Sequence, residues 1–184
     1  MIQMDIEQSQ VTKLVLSNLE RLDPITIFLE DLAPRKGKIT IECSGKSWSS
    51  YWGGMGERSI AEFFVSCDNH YLAKNLSSIP SDIDDYEEFV NVLKRAVLKE
   101  RRAGDLDQDK ARDYFDEIES AESNLNDDDG VAWCKMNYDL LLEILGEDWW
   151  YEIPNKANSD YKYLCNIIDV VRDGLRQMAK PKAA

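Results

Sequence analysis

The residues best placed to do chemistry together are carboxylates. Between Asp107 and Asn124, apolar residues recur at Ala111, Tyr114, Phe115 and Ile118, the spacing of one helix face. That face leaves Asp109, Asp113 and Asp116 pointing outward, with Ser120 continuing the row and Glu117 beside it. On a helix such spacings place neighbouring groups about 5–6 Å apart. A row of anions at that pitch approximates backbone phosphates and suits a basic face on another molecule. A merely solvated helix face is the ordinary alternative. Asp127, Asp128 and Asp129, placed in a turn over 126–130, would extend the patch.

Other groupings are weaker. Asp105-Leu106-Asp107-Gln108-Asp109 opens like a calcium loop, yet the sixth and twelfth positions are Lys110 and Asp116 rather than Gly and Glu. Capping of the helix by Asp105 or Asp107 is the better reading. Cys67-Asp68-Asn69-His70 holds the single histidine and would set a thiol one turn from an imidazole, as nucleophile and base. Cys67 follows Phe63, Phe64 and Val65, which favours a buried, inert thiol. Cys43, Cys67, His70 and Cys134 lack zinc-finger spacing. No G-x-S-x-G, HExxH or glycine-rich phosphate loop occurs in the chain. The expectation is therefore a protein with no metal, no cofactor and no catalytic residue.

Two aromatic groups stand out. Trp48, Tyr51 and Trp52 precede Gly53-Gly54-Met55-Gly56, and are read either as contact anchors (Trp48 and Trp52) or as a plug closing the sheet. Trp149-Trp150-Tyr151 lies in a segment read as a short extended link or strand, where adjacent side chains point opposite ways and one ring reaches the surface.

The elements that must position these groups follow from the hydrophobic pattern. Residues 11–19 and 25–32 are rich in β-branched and large apolar types. Lys38 to Cys43 alternates polar and apolar, and Trp48 to Trp52 supplies a fourth strand, so an antiparallel meander is expected. A helix should start after Ser59, with Glu62 completing a capping box, and a second should cover Asn69 to Leu76. Helices are then predicted over Asp84–Arg101, Asp107–Asn124 and Met136–Leu145, and from Asn158 or Ser159 to Met178. The fold class is α+β: a sheet-containing part over 1–80 and a bundle-like helical part over 81–184, forming one compact domain.

Composition limits the function classes. The chain has 184 residues with 22 Lys+Arg against 35 Asp+Glu, a formal net charge of −13. Residues 105–129 hold 11 acids and 2 bases. Direct binding to nucleic acid needs basic surface, so it is not expected. No apolar run reaches the roughly 20 residues of a membrane helix, and the first residues lack the pattern of a signal peptide. The four cysteines are read as reduced thiols in a cytosolic protein.

The run Lys38-Ile39-Thr40-Ile41-Glu42-Cys43, then Trp48-Ser49-Ser50-Tyr51-Trp52-Gly53-Gly54-Met55-Gly56, Ile60-Ala61-Glu62-Phe63-Phe64 and Cys67-Asp68-Asn69-His70-Tyr71-Leu72, resembles small accessory proteins of tailed phages and prophages of enteric bacteria. The resemblance covers residues 25–76 and transfers no catalytic residue. It implies a bacterial host cytoplasm and a non-structural role, often inhibition of host defence or of host nucleic-acid enzymes. The combined expectation is an acidic accessory protein that binds a host protein through its basic surface. Its contact residues are Asp109, Asp113, Asp116, Glu117 and Asp127–Asp129, with Trp48 and Trp52 as secondary anchors. Three alternatives are an immunity protein neutralising a cationic toxin, a thiol-dependent hydrolase using Cys67 and His70, and a homo-oligomer joined through Trp48–Trp52.

Overall fold

A computed structural model of the chain describes residues 4–121 and 127–179, except for the side chains of residues 127 and 128. In chain order the elements are β1 (Thr12–Leu16), β2 (Ile25–Ala33), β3 (Lys36–Cys43), β4 (Lys46–Trp52), α1 (Ile60–Ser66), α2 (Asn69–Leu76), β5 (Asp82–Asp84), α3 (Tyr86–Ala103), α4 (Gln108–Ala121), α5 (Asp127–Met136), α6 (Tyr138–Leu145), a 3₁₀ turn (Trp149–Glu152), β6 (Asn155–Ala157) and α7 (Ser159–Ala179). The class is α+β. The residues form two compact units, one of 1–81 with 159–184 and one of 82–158.

The first unit is built on the expected meander. Its sheet runs β1-β2-β3-β4, each pair antiparallel. Cys43 pairs with Lys46 across the two-residue turn Ser44-Gly45. Both turn residues have positive φ, 50° and 75°, as a tight hairpin matched to strand twist requires. Alternation decides which side is buried. Ile25, Ile27, Leu29, Ile39, Ile41, Cys43, Trp48 and Trp52 share the core, while the residues between them stay partly or fully exposed.

Helices α1 and α2 close this core with Ile60, Phe63, Phe64, Leu72 and Leu76. The Ser59 hydroxyl accepts from the Glu62 N–H, and the Glu62 carboxylate accepts from the Ser59 N–H at 2.9 Å, so the capping box read from sequence is present. The Ser59 N–H, then the Ser59 hydroxyl, both donating to the carboxylate, hold the Glu62 carboxyl below its usual range. Ser59→Ala should destabilise the fold by about 1 kcal/mol through loss of the cap. Urea unfolding tests this, and an unchanged midpoint would show the box to be idle.

Helix α7 also belongs to this core, through Leu164, Ile167, Ile168, Val171 and Leu175. Arg172 Nη2 donates to the Cys67 carbonyl at 2.7 Å, tying α7 to the link between α1 and α2. The partition at residue 80 placed α7 with the other helices. Its apolar stripe instead completes the sheet's core, because α1 and α2 are short and leave part of that face to cover.

The second unit has its own core, formed by Tyr86, Phe89, Val90, Leu93 and Val97 of α3, Ala111 and Ile118 of α4, Trp133 and Cys134 of α5, and Leu140, Leu141 and Ile144 of α6. Asp82↔Ala157, Ile83↔Lys156 and Asp84↔Asn155 pair β5 with β6, a short ribbon the pattern did not reveal. Two local expectations change here. Residues 127–130, read as a turn, are the first turn of α5. Residues 149–152, read as extended, wind into a 3₁₀ turn.

Candidate functional site

Charge divides sharply between the units. Residues 82–158 carry 22 Asp+Glu and 9 Lys+Arg, a net −13, whereas the rest of the chain carries 13 of each and is neutral. The whole excess of the protein therefore belongs to the helical unit.

Within that unit α4 carries the outward row. Its start is fixed by Asp107, whose carboxylate accepts from the Lys110 N–H at 2.9 Å and whose carbonyl accepts from the Ala111 N–H at 3.0 Å. This is the capping predicted for the Asp105–Asp107 pair, and it engages one of the would-be calcium ligands. Ala111, Ile118 and Ala121 are buried, and Tyr114 and Phe115 are half-buried. With that face inward, Asp109, Asp113, Asp116 and Glu117 are all exposed. Their side chains form no ion pair or hydrogen bond among the described residues. The geometry foreseen from the sequence is thus realised for these four.

The cations on α4 explain why the row stays open. Lys110 reaches away from it to Glu143 on α6, with Nζ 2.6 Å from both carboxylate oxygens, and Tyr114 donates to the same carboxylate at 2.6 Å. The Lys110 hydrogen bond, then that of Tyr114, hold the Glu143 carboxyl below its usual range, and Glu143 in turn raises Lys110. Arg112 forms no ion pair among the described residues, and with Val97, Leu98, Arg101, Phe115 and Asp116 of the row itself it lines a shallow groove between α3 and α4.

The proposed extension is only partly placed. Asp129 is exposed on α5, and the side chains of Asp127 and Asp128 fall outside the described residues. Trp48 and Trp52 require correction as anchors. They are 7% and 6% exposed and belong to the sheet's core, Trp52 lying 5.5 Å from the Phe63 ring and Trp48 6.4 Å from Tyr163. A four-residue separation in a strand puts both on one face, and that face is the buried one. An oligomer interface on these two residues loses its basis as well.

The second aromatic group, from which one ring was expected at the surface, presents more than that. Trp150 is 47% and Tyr151 80% exposed, so both reach solvent rather than one. The 3₁₀ turn abolishes the alternation of an extended strand. Their presence in a base-free stretch was a signal available in the sequence.

The thiol–imidazole pair does not present as an activated nucleophile. Burial pushes the Cys67 thiol up, while a reactive cysteine needs the opposite shift. The His70 ring nitrogen Nδ1 lies 2.9 Å from the Tyr161 hydroxyl. Cys134 is pushed up to about 11, again by burial. Among the described residues, no group of three or more His, Cys, Asp or Glu is arranged to hold a metal ion, and no helix is long and apolar enough to cross a membrane.

Comparison with known proteins finds a family match. A model described as a phage family covers residues 4–177, hence both units. No curated protein matches the chain, and no solved structure matches it.

Proposed function

The chain belongs to this phage family, and from that premise we propose that it is an accessory protein whose helical unit binds a host protein through the partner's basic, nucleic-acid-binding surface. The observation that carries the reading is the α4 row: four exposed carboxylates without internal partners, on a unit that holds the entire net charge. Ion pairs formed inside the molecule would have spent this charge before any partner arrived. Left open, the row both steers encounter and occupies a groove shaped for phosphates. The contact set is Asp109, Asp113, Asp116 and Glu117. Site of action, on this reading, is the bacterial host cytoplasm.

The test is capture from host lysate at low and high salt. Exposed charge pairs contribute about 0.2–1 kcal/mol each. Asp109→Asn/Asp113→Asn/Asp116→Asn should therefore weaken partner recovery by about tenfold at low salt, and raising salt should weaken the wild-type complex in the same way. Equal recovery of the same partner by the triple variant would end the proposal.

A further inference from the structure

Residues 136–154 contain Asp139, Glu143, Glu147, Asp148 and Glu152 and no lysine or arginine. Glu143 is engaged by Lys110. The other four carboxylates are exposed and unpaired among the described residues. In their midst lies a chain of rings: Tyr138 to Trp149 at 6.5 Å, Trp149 to Trp150 at 6.0 Å, and Trp150 to Tyr151 at 5.8 Å, all tilted or edge-on. Asp148 precedes, and Glu152 ends, the 3₁₀ turn that carries the exposed rings of Trp150 and Tyr151.

Elsewhere the protein covers its rings with its own cations: Lys13 over Phe28, Lys46 over Tyr163, Arg58 over Phe63, Lys94 over Phe115 and Lys110 over Tyr114. Among the described residues, no cation lies over Tyr138, Trp149, Trp150 or Tyr151. Exposed aromatic faces attract a cation, and adjacent carboxylates hold its N–H groups. An apolar partner would have to desolvate the four carboxylates, and a nucleic acid would be repelled by them.

We propose that the Trp149–Glu152 turn is an arginine-receiving surface, on which a guanidinium from a basic partner segment stacks against Trp150 or Tyr151 while Asp148 or Glu152 accepts its hydrogen bonds. This rests on the reading of a basic partner and adds a second contact, distinct from the α4 row. Arginine is specified over lysine because its planar group stacks on a ring and presents donors in a fork.

Octa-arginine and octa-lysine peptides, titrated against the full chain at low salt, test it. The wild type should prefer octa-arginine by about tenfold. Trp150→Leu/Tyr151→Leu, at exposed positions, should erase that preference, and Trp150→Phe/Tyr151→Phe, which keeps both rings, should retain it. Asp109→Asn/Asp113→Asn/Asp116→Asn should weaken both peptides alike and leave the preference intact. No preference in the wild type overturns the proposal, as does a preference that survives the leucine variant or vanishes in the phenylalanine variant. If the triple Asn variant binds both peptides as the wild type does, the α4 reading fails while the Trp150 and Tyr151 results still decide this one.

Discussion

Phe89→Ala is expected to cost the helical unit about 3–5 kcal/mol. The side chain is fully buried at the centre of that unit's core, between α3 neighbours Tyr86 and Leu93 in sequence, with its ring 6.5 Å from Tyr86 and edge-on to it. Truncation removes the ring's burial and leaves a cavity that packed helices close only in part. The loss is large beside the roughly 5–15 kcal/mol of a whole domain. Amide hydrogen exchange in α3 should accelerate by about 100-fold or more. Acceleration of less than about tenfold would contradict the packing described.

The second large effect is expected at Gly130. This glycine is buried in α5, and a Cβ built on it would run into the Tyr86 ring at Cγ and meet Cδ2 at 2.5 Å. These are ring atoms close to the backbone, so they cannot swing away as a flexible tip would. Gly130→Ala should destabilise the unit by about 2 kcal/mol through overpacking, even though alanine alone favours a helix by about 1 kcal/mol. In a Tyr86→Ala background the same change should reverse sign, because the obstruction is gone and the helix preference remains. Urea midpoints of the four proteins give the answer. Destabilisation of equal size in both backgrounds would mean that the ring is not what the glycine accommodates.

Gly130 also illustrates where sequence reading stopped. Asn126-Asp127-Asp128-Asp129-Gly130 has the composition of a turn, and residues 127–130 were assigned to one. What keeps glycine there is the approach of the Tyr86 ring, a contact between positions 44 apart that no local pattern encodes. The capping box at Ser59 and Glu62 was legible because it is local. So were the strand faces, since Ile39, Ile41 and Cys43 alternate with polar residues. The stripe Leu164, Ile167, Ile168, Val171 and Leu175 announced a buried helix face but not its counterpart, hence the misplacement of α7.

The candidate site divides in the same way. Asp109, Asp113, Asp116 and Glu117 follow from helical period alone once Ala111 and Ile118 face inward. That Lys110 would turn to Glu143 instead of neutralising its own helix depends on α6, 33 residues away. Trp48 and Trp52 were legible as a same-face pair that could serve as anchors or as a plug of the sheet, and their burial selects the plug. Trp150 and Tyr151 were hidden by the assumption of an extended backbone, which a 3₁₀ turn replaces.

The ribbon of Asp82–Asp84 with Asn155–Ala157 brings the first and last residues of the acidic unit side by side. A stretch of chain that leaves and returns at one point resembles a stitched-in cassette: its hem is fixed regardless of what is sewn above it. The ends of residues 82–158 are thereby held at one place, so a change of length inside that unit leaves the separation of its two ends unaltered.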